Sequence, residues 1–212
     1  MIHQYLKDVY FGLVRLVSWP NARLARLRYR RHAGRNTLRL HLGCGPYYLP
    51  GMINIDGNLR RRKDLWLDLR NPLPFPDGSV ALVYSSHMLE HLYPDDALRL
   101  LREIRRVLSD QGVARLAVPS LERAMAIARG EATANRFPRQ FDAPAAQAIN
   151  YLFCDGQHKY GYCWELLDAF ARQAGFTRIV NYSAEHGVAQ KTYGPITLGP
   201  DIPGSLVVEL MR

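Results

Sequence analysis

The chain has 212 residues, 48% of them hydrophobic and 10% aromatic, which is enough for one sizeable core and too apolar for a disordered chain. Its formal charge of +9 admits nucleic acid, anionic lipid or an acidic substrate as partner without selecting one. No apolar run approaches bilayer length and no small-residue cleavage site follows the first residues, so the reading excludes a membrane span and a secretory signal and expects a cytoplasmic protein.

Residues 1–19 carry helical periodicity, with Ile2, Leu6, Val9, Leu13 and Leu16 (or Val17) on one face. Pro20 ends the run, and Asn21 caps a second helix bearing Leu24 and Leu27. The stretches "ARLARLRYRRHAGR" (22–35) and "NLRRRKD" (58–64) hold much of the basic excess. Residues 1–35 therefore read as a basic amphipathic arm. Its apolar face is expected to pack on the domain or cover the substrate mouth, with peripheral contact at the inner membrane surface as the alternative. Deleting the arm is expected to weaken acceptor use or liposome binding and to leave cofactor affinity intact.

From residue 37 the pattern changes. "TLRLHL" (37–42) is a buried strand running into the glycine turn "GCGP", and "MINID" (52–56) and "DLWLDL" (64–69) are the next two strands. The prolines of 72–79 make a loop, and "VALVYSS" (80–86) is the clearest buried strand. Helix 94–108 follows, is broken by "QG", and leads to strand 113–119. An irregular stretch with an Ala-rich helix reaches residue 157. Helix 163–176 stops at Gly175, and strands 177–183 and 205–211 flank a Gly/Pro-rich loop.

Alternating strands and helices imply a mostly parallel sheet covered on both faces, whose ligands sit at the carboxyl ends of the strands. Gly43, Gly45, Asp56, Asp68 and Ser85–His87 all fall at such ends. Two glycines let the backbone approach a ligand, and an aspartate ending the next strand can accept both ribose hydroxyls. Asp56 comes only eleven residues after Gly45, too few for the full crossover helix of a dinucleotide site, which disfavours NAD.

"LHLGCG", "INIDGN", "DLRNPLPFPDGSVALVYSSHMLEHL" and "LREIRRVLSDQGVARLAVPS", in that order, resemble class I S-adenosylmethionine-dependent methyltransferases. The nearest pattern is the type 11 group, and within it the small bacterial proteins found near glycan and cell-surface biosynthesis functions. The resemblance implies an α/β Rossmann-like fold over residues 36–212, with a mostly parallel seven-stranded sheet and an antiparallel last strand. It implies S-adenosyl-L-methionine as cofactor. Gly43, Cys44 and Gly45 would meet its methionine part, Asp56 and Gly57 its ribose, and Asp68 and Leu69 its adenine. Ser85, Ser86 and His87 would line the transfer site. His41 stands where the family often has an acidic residue for the ammonium, and Ala81 replaces the usual aspartate opening the fourth strand.

The reaction so implied is methylation of a small-molecule or glycan acceptor at oxygen, with residues 121–160 and 184–203 forming the acceptor site. His87 is the first candidate for the base that removes the acceptor proton, His158 the second, with Tyr160 nearby. RNA methylation and a non-catalytic S-adenosylmethionine-binding protein are the alternatives; no RNA-binding module is attached. A further motif, His87-x-x-Glu90-His91, has the inverted zinc-peptidase spacing, with Glu165 available as third ligand. Pro94 shortens any helix there to barely two turns, so the motif is read as a strand-to-helix corner and no metal is expected. Cys44, Cys154 and Cys163 lack Cys-x-x-Cys spacing and an even count, as reduced thiols do.

Overall fold

Short apolar runs bury both faces only when they pair side by side under helices. The computed structural model of the protein describes residues 4–133, 141–182, 191–194, 196–198, 202 and 204–212. Its strands are β1 (Leu38–Leu42), β2 (Ile53–Asp56), β3 (Leu65–Trp66), β4 (Val80–Ser86), β5 (Leu108–Pro119), β6 (Arg178–Asn181), β7 (Lys191–Tyr193), β8 (Ile196–Leu198) and β9 (Ser205–Met211). Seven form one sheet in the order β3-β2-β1-β4-β5-β9-β6. The pairs from β3 to β5 are parallel, and β9 runs antiparallel between β5 and β6. This is the expected Rossmann-like sheet. Leu40, Leu42, Ile55 and Val83 are fully buried at its centre.

The helices are α1 (Gln4–Val17), α2 (Trp19–Tyr29), α3 (Pro94–Val107), α4 (Leu121–Ala128), α5 (Pro144–Phe153) and α6 (Trp164–Gln173). α3 shows why its sequence is helical. Pro94 opens it, Asp95 and Asp96 lie in the first turn, and Arg105 and Arg106 in the last, all favourable to the helix dipole. Leu100, Leu101, Ile104 and Val107 face the sheet and are buried.

Three sequence expectations change. The strand expected at 113–119 starts at Leu108, with no loop after α3. The step Val80 to Leu82 faces the longer step Leu108 to Val113, so Ser109–Gly112 bulge out of register. The close approach is made at Gly112, where a Cβ would lie 2.7 Å from the Val80 carbonyl oxygen. The loop expected between the last two strands contains the hairpin β7–β8. Residues 183–190, 195, 199–201 and 203 lie outside the described residues, so most of the expected acceptor segment 184–203 is not seen.

The third change concerns the arm. Leu6, Leu13 and Leu16, assigned to an inward face, are 56%, 58% and 72% exposed. The inward face is Val14, Ser18, Ala22, Ala25 and Tyr29. Ala22, Ala25 and Tyr29 join the main core, whereas around Arg15–Asn21 the arm meets polar groups. The Asn71 amide donates to the Arg15 carbonyl at 2.8 Å, Asn21 Nδ2 to the Trp66 carbonyl at 2.6 Å, and the Asp68 amide to Ser18 Oγ at 3.1 Å. Backbone acceptors and small side chains suit such a surface better than leucines do.

A buried ion pair sets the register of β9. Arg115 and Glu209 are direct partners across β5 and β9, with Nη1 and Oε1 3.0 Å apart and side chains 3% and 6% exposed. Tyr193 on β7 donates to the same carboxylate. Removing one member takes the opposite charge away from a buried ion, whereas replacing both by apolar residues leaves a packed sheet. Glu209→Ala should therefore lower unfolding free energy by about 3–5 kcal/mol in urea denaturation. Arg115→Met with Glu209→Leu should recover most of that loss.

Candidate active site

Parallel strands deliver their carboxyl ends to one edge, and the residues expected there converge on it. At the end of β1, Gly43 (φ 64°) and Gly45 (φ 51°) adopt the left-handed conformation that glycine permits. The amides of Gly43 and Cys44 donate to the Ile55 carbonyl at 2.9 and 3.1 Å, tying the turn to β2. Cys44 is buried, and burial pushes its thiol up to about 11, so it stays protonated.

The two glycines differ in what lies beside them. A Cβ at Gly43 would fall 2.2 Å from Met88 Cγ, whereas one at Gly45 would have nothing within 4 Å. The Gly45 amide donates to Asp56 Oδ2 at 2.7 Å and the Asn58 amide to Oδ1 at 2.6 Å. The half-buried Asp56 carboxylate thus stands beside open space, with lone pairs left for hydroxyl donors. This corner fits a ribose.

Asp68 is placed as expected but engaged differently. It is buried, and Arg70 grips both its oxygens, Nε to Oδ1 at 2.9 Å and Nη2 to Oδ2 at 2.7 Å. The same guanidinium donates to the Phe11 carbonyl of α1. An adenine amine would meet a carboxylate already paired; the sequence signal for this was the spacing Asp68-x-Arg70, which sequence reasoning passed over. Leu69 is buried beside it. Gly57 lies under α1, where an added Cβ would meet Phe11 and Val14 at 3.5 and 3.7 Å. Its carbonyl accepts from Trp66 Nε1 at 2.9 Å.

His41 is 3% exposed. Its Nδ1 lies 3.0 Å from Asn54 Oδ1 and its ring packs on Tyr84, so this nitrogen is spent within the fold. Burial lowers its pKa, against the opposing pull of Asn54, and favours the neutral ring.

At the end of β4, Ser85 Oγ donates to the Leu42 carbonyl at 3.1 Å, and Ser86 is half-buried. His87 follows in the left-handed region (φ 52°), held by its amide's bond to the Ala117 carbonyl at 2.8 Å. Its Nε2 lies 2.8 Å from Ser205 Oγ on β9, and its Nδ1 3.4 Å from Glu90 Oε1. Glu90 is 1% exposed, and neither of its carboxylate oxygens has a hydrogen-bond partner. His158 reaches the same carboxylate from residues 154–160, Nε2 to Oε1 at 3.9 Å. Both candidate bases therefore meet at Glu90. Burial would raise that carboxyl; the imidazoles of His87, His91 and His158 hold it below the ordinary carboxylate range. Tyr160 turns its ring against Tyr162 and Phe170, in the core.

Residues 48–116, from the loop after the glycine turn into β5, match the family model described as a methyltransferase domain. An S-adenosylmethionine-dependent methyltransferase from Archaeoglobus fulgidus superposes with a TM-score of 0.52 at 15% identity, over 90% of this chain and 94% of the other. A protein from Nostoc punctiforme, provisionally assigned as an O-methyltransferase, superposes with a TM-score of 0.51 at 14% identity, over 96% and 60%. No curated protein matches the chain. The fold is a methyltransferase fold. Within it, the turn of Gly43 and Gly45, the Asp56 carboxylate and the Ser85–His87 corner lie together at the carboxyl ends of β1, β2 and β4.

The two glycines should respond differently to substitution. Gly43→Ala must displace Met88 as well as strain the backbone, and should abolish S-adenosylmethionine binding in calorimetry. Gly45→Ala carries the conformational penalty alone, about 1 kcal/mol, and should keep measurable binding.

Proposed function

We propose that the chain transfers a methyl group from S-adenosylmethionine to a hydroxyl of a small-molecule or glycan acceptor, with His87 receiving the acceptor's proton. The observation that carries this reading is the backbone of His87. A histidine is held at φ 52°, where glycine would be cheaper, just past the end of the central strand. Such strain persists where the side chain is needed. One ring nitrogen faces a hydroxyl, Ser205 Oγ, and the other a buried carboxylate, the arrangement that orients a base.

S-adenosylmethionine supplies a methyl carbon already activated by its sulfonium. The protein has to align the acceptor, exclude water and dispose of one proton. Asp56 and the glycine turn hold the cofactor, and α1 shields that edge. An apolar groove of about 280 Å³, lined by Phe141, Ile149 and Phe153 among others, falls within the 121–160 segment assigned to the acceptor. It supports an acceptor with an apolar portion.

The test measures release of S-adenosylhomocysteine with sugars, lipid-linked glycans, phenols and RNA as acceptors. Binding of S-adenosylmethionine no tighter than millimolar, or turnover with RNA alone, overturns the reading. His87→Asn keeps a residue that tolerates the left-handed region. It should fold normally and bind cofactor as before, while kcat falls by about 100-fold or more.

The outer face of the arm supports a membrane-tethered acceptor. Leu6, Val9, Leu13, Leu16, Leu24 and Leu27 are exposed, and Arg15, Arg23, Arg26 and Arg28 are exposed around them. An apolar stripe bordered by arginine suits an anionic lipid surface. Deleting residues 1–35 would not isolate this role, because Ser18, Phe11 and Arg15 also hold the cofactor edge. Leu13→Glu with Leu16→Glu does isolate it. The variant should lose sedimentation with phosphatidylglycerol vesicles and keep its cofactor affinity; unchanged sedimentation removes the membrane role.

A further inference from the structure

Methyl transfer needs His87 and leaves the rest of His87-x-x-Glu90-His91 unexplained. The motif does not form the helical pair of a zinc peptidase. Leu89–His91 is one 3-10 turn, His87 precedes it in a left-handed conformation, and the third partner the fold supplies is His158 rather than Glu165. From this juxtaposition we infer that Glu90, His91 and His158 bind a divalent first-row transition cation of the zinc type.

One ligand atom of each residue lies within 4.8 Å of the others. Glu90 is 1% exposed, and both its oxygens lack hydrogen-bond partners, as does the buried hydroxyl of Tyr162. A buried carboxylate met only by imidazoles at 3.4 and 3.9 Å, with no well-formed hydrogen bond, is costly unless a cation compensates it. The histidines are oriented for that role. His158 Nδ1 lies 2.7 Å from the Leu152 carbonyl and His91 Nδ1 3.1 Å from the Gln157 carbonyl. A carbonyl only accepts, so each Nδ1 carries the proton, which leaves Nε2 as the coordinating nitrogen. Metal-bound histidines commonly donate their second nitrogen to a backbone carbonyl in this way.

The scaffold is rigid. The Glu90 carbonyl accepts from the amides of Lys159 and Tyr160 at 2.7 and 3.2 Å, pinning the ligand turn to the segment that carries His158. The exposed His91 gives an entry path from solvent. Two imidazoles and one carboxylate suit zinc and its neighbours and not magnesium or calcium. Bonds of about 2.1 Å put tetrahedral ligand atoms about 3.4 Å apart, so atoms within 4.8 Å of one another need close by no more than about 1.4 Å on binding.

Zinc chloride titrated into the full-length protein in calorimetry, with a chelator as competitor, tests this. One ion per chain with submicromolar affinity is expected. His91→Ala alters an exposed side chain and should fold; it should weaken binding by at least about 30-fold. Cys154→Ser and Cys163→Ser should bind as the parent does, and X-ray absorption should report nitrogen and oxygen ligands without sulfur. The inference falls if binding is not saturable, if His91→Ala leaves affinity unchanged, or if the cysteine variants abolish binding. S-adenosylmethionine affinity measured in the same samples reports separately on the methyltransferase reading.

Discussion

The contact between Met88 and the backbone of Gly43 joins the two halves of the functional edge. Met88 occupies the place of the side chain that Gly43 does not have. It belongs to the turn that leaves β4, and the glycine belongs to the turn that leaves β1. The missing Cβ therefore allows two adjacent strand ends to close on each other. Once Met88 is seated there, the residues either side of it are positioned: His87 toward β9, and Glu90 inward beneath it. Neighbouring glycines with similar backbone angles do unlike jobs, one making room for a protein atom and the other bordering open space.

Glu90 is where the chemistry of the edge and the cost of burial meet. Its charge is opposed by desolvation and sustained by three imidazoles from two distant parts of the chain. The carboxylate is common to the orientation of His87 and to the proposed cation. Those roles compete in one respect: an ion drawing on Glu90 would leave less negative charge for His87. They cooperate in another, since an ion would hold residues 154–160 against the turn after β4. His158, buried and with its pKa lowered mainly by that burial, is suited to a neutral ring whichever role it serves.

Much of the fold could be read from the sequence because a buried parallel strand must be an apolar run, and such runs end where polar residues begin. That logic located Gly43, Asp56, Asp68 and His87 on one edge. It could not see partners that tertiary structure supplies. Arg70 closes on Asp68 because the loop after β3 turns back; His158 meets Glu90 across 68 positions (158 − 90) of chain. The arm turns its smaller side chains inward, since periodicity reports which face is apolar and is silent on how much room the receiving surface leaves. The start of β5 is hidden in the sequence because Asp110-Gln111-Gly112 has the composition of a loop and is a bulge within a strand.

The place of β9 constrains how the sheet is completed. It lies between β5 and β6 although it comes last of the three in the chain, so β6 touches the sheet only through it. Until Ser205–Met211 has been laid down, residues 178–181 have no strand to join, and the edge of β5 stays open to any other extended segment. Without β9 the sheet has five strands and an unguarded flank, and placing that one strand completes two positions at once. Arg115 and Glu209 give that insertion its alignment, because a slip of one residue would set a buried guanidinium opposite an aliphatic side chain.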